Sequence, residues 1–266
     1  MFIISFSTIF GFIFGISLFT YAIMSSTNNY VMFISLSSFL LVMGGTIAAT
    51  MIGYQGRYVW KSLVSLLSII GPFRLNSKSL FEDTGRIIEF SMIAKKQGPL
   101  GIEKALSEKE KNDPLIGFGV NLLTSGYSGK EVRKMLEDNV ESTFERNMVQ
   151  PNILNSMAGF SPAFGMIGTL VGLVIMFESM GTDISQIGRG MALALLTTLY
   201  GVLIAHLILK PASEKLRQRE EIYRFRSLLI VEGLSMIADG KDSLTIQDAM
   251  NSFLDPSKHF NVAKGT

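Results

Sequence analysis

Three threonines lie in two long apolar stretches of the C-terminal half, where lipid-facing helices ordinarily carry large apolar side chains. Thr169 lies in the stretch at 153–177, and Thr197 and Thr198 lie in the stretch at 191–209. A threonine hydroxyl can ligate a cation through its oxygen, or it can bond within its own helix and contribute only to packing. Three hydroxyls on two small-residue faces favour a polar seam between the two helices.

Small residues accompany the threonines at helical spacing. In the third stretch Gly165, Gly168 and Gly172 share the face of the threonine, and the last two form a Gly-x-x-x-Gly pair. Such a pair lets another helix backbone approach closely. In the fourth stretch Ala194 and Gly201 fall on the side of the threonines. These five residues are predicted to pack at the seam.

The cores of the apolar stretches contain no Asp, Glu, Lys or Arg, and His206 is the only ionisable group near a membrane interior. Proton and cation pathways through bilayers normally use an ionisable residue. If this chain conducts ions, a second polypeptide must therefore supply the carboxylate. The absence of Cys excludes disulfides and thiolate metal sites, and a net charge of +2 is too small to indicate nucleic-acid binding. No metal or cofactor is predicted.

The elements that must position the threonines are transmembrane helices. Residues 1–53 contain no charged residue and hold two apolar runs, each near the ~20 residues that cross a bilayer. Beta signals are nearly absent. The sequence therefore predicts an all-α integral membrane protein with an N-terminal transmembrane hairpin at 1–53. The four predicted spans cover residues 2–24, 31–52, 153–178 and 190–209.

The distribution of basic residues predicts the orientation. Of 24 Lys and Arg residues, 14 lie in 57–146 and nine lie from Lys210 onward, and only Arg189 falls between the last two spans. Because basic residues concentrate on the cytoplasmic side, both polar blocks and both termini are predicted to be cytoplasmic. The predicted divisions are a cytoplasmic helical domain at 54–150, paired spans at 151–210 and C-terminal cytoplasmic helices at 211–266.

Local signals divide the polar blocks into helices. An apolar pattern with helical spacing breaks at Gly98-Pro99 and resumes over residues 102–110. Asp113-Pro114 is predicted to start another helix, and Ser128 is a candidate N-cap. In the spans, Pro162 begins the membrane part of the third helix and Pro211 is predicted to end the fourth. These prolines either mark the boundaries of the spans or act as hinges that transmit motion.

Three strings resemble signatures of flagellar stator A subunits of the MotA/PomA type, within the wider MotA/TolQ/ExbB superfamily. They are PAFGMIGTLVGL at 162–173, MALALLTTLYG at 191–201 and PASEKL at 211–216. The resemblance covers nearly the whole chain. It implies a homopentamer in the bacterial inner membrane, surrounding a dimer of a B subunit whose single membrane helix carries an Asp. It also implies that H⁺ or Na⁺ passes between that Asp and the hydroxyls, and that the ring converts the ion motive force into rotation.

The resemblance assigns expected roles to particular residues. Thr169, Thr197 and Thr198 match pore-facing positions, and Pro162 and Pro211 match prolines linked to conformational coupling. A basic and an acidic residue of the family contact the rotor switch protein. The corresponding residues here are Lys95 or Lys96, where relatives usually carry Arg, and Glu103. Arg189 departs from the family pattern at the outer mouth. The resemblance implies an ion-conducting protein rather than an enzyme, with no cofactor.

Three other interpretations remain open from the sequence. The nearest is an ExbB/TolQ-type energiser of outer-membrane transport, although such proteins have one span before the cytoplasmic domain and this chain has two. A scaffold membrane protein that conducts nothing is a second. A solute transporter is a third, and four spans without inverted repeats or broken helices argue against it.

Overall fold

The computed structural model describes residues 6–71, 77–180 and 184–260, and all regular secondary structure in these ranges is helical. The first half contains α1 (Phe6–Ser26), a 3₁₀ helix (Tyr30–Phe33), α2 (Leu36–Gly53), α3 (Gly56–Ser68), α4 (Ser77–Gln97), α5 (Pro99–Ala105), α6 (Glu108–Lys111) and α7 (Pro114–Thr124). The second half contains α8 (Gly129–Glu178), α9 (Ile184–Leu203), a π-helical segment (Ile204–Leu209), α10 (Lys210–Ala238), α11 (Ser243–Asn251) and a 3₁₀ turn (Pro256–Lys258). The predicted all-α fold class is confirmed for this part of the chain.

Parts of several predicted segments lie outside the described residues. They are residues 2–5 of the predicted first span, 72–76 of the predicted cytoplasmic domain, 181–183 between the last two spans and 261–266 of the predicted C-terminal block.

Four helical stretches are long and apolar enough to cross a membrane, which confirms the predicted number of transmembrane helices. They are Ser7–Ser26, Tyr30–Gly53, Gly129–Glu178 and Gln186–Ala238. The last two contain 50 and 53 residues, far more than the ~20 that a bilayer requires. The third and fourth spans therefore continue as helices well beyond the membrane.

Two local features differ from the sequence expectation. The pattern at residues 102–110 is divided between α5 and α6, because Ser107 starts a new helix. Its hydroxyl caps the backbone N–H of Glu110, and the Glu110 carboxylate accepts the Ser107 N–H at 2.7 Å, which is a capping box. The second feature is α3, a helix that the sequence analysis did not predict between the second span and the polar block.

The chain divides into two compact units, each built from two separate segments. One unit comprises Met1–Phe73 and Met148–Gln218. Its core is formed by residues of α2, α8 and the π segment with the start of α10: Val42, Ile153, Leu154, Met157, Ala158, Ile204, Leu209 and Ala212. Two buried hydroxyls of α2 belong to the same unit. Thr46 and Thr50 each donate to the carbonyl four residues earlier at 2.7 Å, so their polar groups are satisfied within the helix.

The other unit comprises Arg74–Asn147 and Arg219–Thr266, and its helices enclose a core of large apolar side chains. The fully buried members include Phe90, Ile102, Leu136, Leu229, Ile230, Leu234, Ile246 and Met250. They come from α4, α5, the first part of α8, the second part of α10, and α11. No charged residue of the described part of this unit is among the fully buried ones.

Arg226 on α10 joins α4 to the start of α7 within this second unit. Its guanidinium donates to both oxygens of Asp83 at 2.7 and 3.0 Å and to Asp113 Oδ2 at 3.0 Å. Asp113 also caps α7 by accepting the Leu115 N–H at 3.0 Å. Burial lowers the pKa of Arg226, but the hydrogen bonds and charges of the two aspartates outweigh it and raise the pKa. The guanidinium therefore stays charged and holds three helices together.

We expect Arg226→Ala to lower the thermal unfolding temperature of the full chain in detergent, measured by far-ultraviolet circular dichroism. The substitution leaves two partly buried carboxylates without their cation, which costs about 2–3 kcal/mol. Lys111→Ala is the control, since it removes an exposed ion pair with Glu108 and should change stability by less than about 0.5 kcal/mol. Equal unfolding temperatures for the two variants would contradict this role of Arg226.

Candidate functional site

Helices α8 and α9 approach each other closely along a row of glycines. A methyl group placed on Gly172 would lie 2.5 Å from the Gly190 carbonyl oxygen, and one on Gly165 would lie 2.9 Å from the Thr197 carbonyl oxygen. On the facing helix, a methyl group on Gly201 would lie 2.7 Å from the Ser161 carbonyl oxygen. Real side chains do not fit at such distances, so this separation of the helices requires glycine at these positions.

The close approach brings Thr169 and Thr198 together. Their hydroxyl oxygens are 2.5 Å apart, although one threonine lies on α8 and the other on α9. Thr169 Oγ1 also lies 3.1 Å from the carbonyl oxygens of both Gly165 and Ala194. Thr198 Oγ1 lies 3.4 Å from the same two carbonyls. Two hydroxyls and two carbonyls from two helices thus form one cluster of oxygen atoms, with Thr198 exposed and Thr169 half-buried.

Thr197 occupies a different place from its neighbour. Its side chain is fully buried between the helices, and its hydroxyl donates to its own helix at the carbonyls of Leu193 (2.9 Å) and Ala194 (3.0 Å). It lies directly against Gly168, where even a methyl group would not fit beside it. Within this chain, Thr197 therefore packs α9 against α8, whereas Thr198 is an exposed residue whose hydroxyl belongs to the oxygen cluster.

The oxygen cluster can offer ligands to a cation but carries no group that titrates near neutral pH. No Asp or Glu occurs in residues 153–177 or 190–209, and the described residues contain no group of three His, Cys, Asp or Glu that could hold a metal ion. His206 lies exposed in the π segment, and Arg189 is exposed on the first half of α9. The hydroxyl and carbonyl oxygens could ligate a cation, and residues 153–177 and 190–209 supply no carboxylate to balance its charge.

Two further side chains, those of Ser161 and Tyr200, fix this region through three hydrogen bonds, and the sequence analysis assigned no role to either. Ser161 Oγ donates to the Gly201 carbonyl at 3.0 Å and so ties α8 to α9. The Tyr200 hydroxyl donates to the Phe33 carbonyl at 2.5 Å and accepts the Ser35 N–H at 2.9 Å, which ties α9 to the start of α2. Tyr200 lies in a string that resembles the family and Ser161 directly precedes another, but neither spacing nor composition indicates their partners.

The two prolines lie inside continuous helices. Pro162 is within α8, and its Cα would be 3.2 Å from a methyl group on Gly201. Pro211 is within α10, so the helix continues past the residue at which the sequence places the end of the fourth span. A proline ring collides with the carbonyl four residues earlier in an ordinary α-helix. For Pro211 that carbonyl belongs to Leu207, which lies in the π-helical segment Ile204–Leu209, where the wider turn leaves room for the ring.

The charges that the resemblance assigns to a rotor contact are exposed on the other unit. Lys95 and Lys96 lie in the last turn of α4, where cations interact favourably with the helix dipole, and Glu103 lies in α5. Lys95 is also close enough to Asp242 to contribute to the lowered pKa of that residue, whose main cause is the hydrogen bond from Thr245.

Arg86 holds the helix that carries Glu103. Its guanidinium donates to Glu110 at 2.6 and 3.1 Å and to the Ala105 carbonyl, at the end of α5, at 2.6 Å. The hydrogen bond that Arg86 donates to Glu110 raises the pKa of Arg86. Desolvation raises the pKa of Glu110, but hydrogen bonds from Arg86 and Ser107 outweigh it and lower the pKa. This charged pair anchors α5 and α6 to α4.

Comparisons with known proteins agree on one family. A sequence model of the MotA/TolQ/ExbB proton channel family matches residues 107–226. The chemotaxis protein PomA of Vibrio alginolyticus is 32% identical over 228 residues, which cover 85% of this chain and 87% of PomA. Motility protein A of Borreliella burgdorferi is 31% identical over 224 residues, which cover 84% of each protein.

Solved structures of the same kind share the fold. A chain of Campylobacter jejuni MotAB superposes with a TM-score of 0.82 at 22% identity, over 95% of this chain and 96% of that one. A chain of the flagellar MotAB stator complex from Bacillus subtilis gives a TM-score of 0.81 at 18% identity, over 94% and 96%. The chain therefore belongs to the MotA/TolQ/ExbB proton channel family, as a multi-pass inner-membrane stator subunit of the type represented by motility protein A and PomA.

Proposed function

We propose that this chain is the ion-conducting, torque-generating A subunit of a bacterial flagellar stator. The observation that carries the proposal is the pair of hydroxyls of Thr169 and Thr198, 2.5 Å apart on two glycine-packed membrane helices that contain no carboxylate. The relatives named motility protein A and PomA support the same function. The chain moves ions through a membrane and has no role as an enzyme.

A B subunit with a membrane Asp completes the ion site. The hydroxyl cluster is accessible through Thr198, and it lacks the ionisable residue that ion pathways through bilayers normally use. An Asp on a neighbouring helix would supply that group next to oxygen ligands that are already in place. The two MotAB structures that share this fold support such a partner.

Binding and release of the ion change the surface of this chain that the partner helix prefers to contact. One elementary charge moving through 100 mV releases about 2.3 kcal/mol, which biases a two-state arrangement by more than tenfold. An ion that neutralises the partner's Asp lowers the cost of moving that helix across apolar surface, and release on the inner side restores the charge. The A-subunit faces then offer a new preferred contact, and the cytoplasmic helices carry the displacement to the rotor.

The proposed assembly is a homopentamer around a dimer of the B subunit, with both termini of this chain in the cytoplasm. The charge distribution supports the orientation, since 14 of 24 basic residues lie in 57–146 and nine follow residue 209. Lys95 or Lys96 together with Glu103 would contact the rotor switch protein. Their exposure, and the anchoring of α5 by Arg86, support that role.

An ExbB/TolQ-type energiser of outer-membrane transport is less well supported. The family model includes such proteins, but PomA and the motility protein A of Borreliella burgdorferi, which cover 85% and 84% of this chain, are named for chemotaxis and motility.

Deleting the gene tests the proposed function directly. We expect the deletion to abolish swimming while flagella remain assembled, because a stator supplies torque and not structure. Reintroducing the gene should restore swimming. Normal swimming combined with defective iron–siderophore uptake would contradict the proposal and favour the transport energiser.

Thr198→Val tests the hydroxyl pair, since valine keeps the shape of threonine and removes only the hydroxyl. With the B subunit co-expressed, we expect ion flux into membrane vesicles to fall about tenfold, the effect of losing one ligand to a charged group. Thr198→Ser should retain most of the flux. Thr46→Val is the matched control, because the Thr46 hydroxyl bonds only within α2. Equal losses in Thr198→Val and Thr46→Val would argue against an ion pathway at Thr198.

Glu103→Lys tests the proposed rotor contact. We expect it to reduce swimming speed while ion flux in vesicles stays unchanged, since the charge lies outside the membrane spans. Lys130→Glu, which reverses another exposed charge at the start of α8, is the control and should swim normally. A parallel loss of ion flux in Glu103→Lys, or normal swimming by that variant, would count against the contact.

A further inference from the structure

The last described residue of the chain is attached to the second unit by its aromatic ring. The Phe260 ring stacks on that of Phe81 in α4, with ring centroids 4.2 Å apart and an angle of 13° between the planes. It also lies against Gly85, where a methyl group would be only 3.0 Å from a ring carbon of Phe260. The lack of a side chain at residue 85 therefore makes room for the ring.

Two buried carboxamides of α11 bind the backbone of the same residue. Asn251 accepts the Phe260 N–H at 2.8 Å and donates to the Phe260 carbonyl at 2.9 Å, and Gln247 donates to that carbonyl at 3.0 Å. Asn251 and Gln247 are only 8% and 6% exposed. A side chain that pairs with both the N–H and the C=O of one residue reproduces the pairing between neighbouring antiparallel strands. These hydrogen bonds recognise an extended backbone.

Phe260 ends a segment that is otherwise exposed, residues 255–260, which we call the strap. The Ser257 N–H and hydroxyl donate to Asp255 Oδ1 at 2.9 and 2.6 Å, and the Lys258 N–H donates to the Asp255 carbonyl at 2.8 Å. The strap thus forms its own turn, and the extended backbone of His259 (φ −65°, ψ 138°) leads into Phe260. A segment attached in this way can open without unfolding the helices beneath it.

The groove under Phe260 lies where α11 packs against α4. Asp242, at the start of α11, is near Lys95 at the end of α4, and the other end of α11 carries Asn251. Release of the strap would take away the partners that Phe260 gives to the two carboxamides. Because a buried polar group without a partner is costly, the open groove would favour binding of another segment that offers the same groups.

We propose that the groove between α4 and α11 is a binding site for an extended peptide with an aromatic side chain, and that the strap is its releasable occupant. The class of ligand follows from the contacts that Phe260 makes. The carboxamides pair with a main-chain N–H and C=O, as in peptide recognition by strand addition, and the ring packs on Phe81 beside Gly85. Main-chain pairing supplies affinity, and the space for the ring supplies selectivity.

Three variants of the full chain separate the occupant from the site. Phe260→Ala removes the ring of the strap and leaves the groove intact. Gly85→Leu fills the space of the ring with a residue that favours helices, and it leaves the carboxamides in place. His259→Ala is the matched control, because His259 is the exposed neighbour of Phe260. The probe is a fluorescent synthetic peptide of residues 255–266, together with a second peptide that carries Ala in place of Phe260.

The measurements are fluorescence anisotropy of the peptide and amide hydrogen exchange of the detergent-purified chain, followed by mass spectrometry. We expect Phe260→Ala to bind the peptide about tenfold more tightly than the wild type, whose own strap competes through the aromatic pair. His259→Ala should match the wild type, and Gly85→Leu should not bind. In the wild type, the amide of Phe260 should exchange about 100-fold faster than that of Leu234 in the core of the unit.

Two results would overturn the proposal. One is exchange of the Phe260 amide as slow as that of Leu234, which would make the strap a permanent part of the core. The other is binding of the peptide to Phe260→Ala no tighter than to the wild type, or equal binding of the peptide that carries Ala, which would deny the groove its selectivity for a ring. Because the readouts are peptide binding and amide exchange, neither result depends on the proposed stator function.

Discussion

The separation between α8 and α9 is the constraint on which the rest of the membrane unit depends. Lipid gives two helices no hydrophobic reason to associate, so packing and interhelical hydrogen bonds must hold them together. Gly165, Gly172 and Gly201 each face a backbone carbonyl at a distance that excludes any side chain. This proximity alone lets Thr169 on one helix reach Thr198 on the other. A wider separation would return each hydroxyl to its own helix and leave no shared cluster of oxygens.

The same arrangement explains how polar groups persist among apolar side chains. A hydroxyl in hydrocarbon must find a partner, and both hydroxyls of the pair find the carbonyls of Gly165 and Ala194 without any charged residue. The cluster is thus stable in the absence of an ion, yet it is electrically neutral. The cluster offers oxygen ligands and no charge, which is why the proposed function requires a carboxylate from another polypeptide.

The membrane helices and the face that carries Thr169 could be predicted from the sequence, because long apolar stretches and regularly spaced glycines are strong signals. Four long apolar stretches and a glycine-rich face around Thr169 follow from composition and helical spacing. The different positions of Thr197 and Thr198 could not be predicted in this way. Adjacent residues lie about 100° apart on a helix, and only packing against α8 determines which of the two is buried. Helix α3 escaped prediction since its polarity is reversed, with serines inside and Trp60 outside. In a soluble protein that pattern would not indicate a packed helix.

Pro211 is instructive because its effect depends on its neighbours rather than on its own ring. A proline normally ends or kinks a helix, and the sequence analysis applied that rule. Here six preceding residues adopt a π-helical turn, and the helix runs on without a break to Ala238. π-helical turns are rare and occur often at functional sites. The fourth membrane helix therefore carries an irregular turn just before its proline, whereas Pro162 lies against Gly201 in a stretch that keeps α-helical geometry.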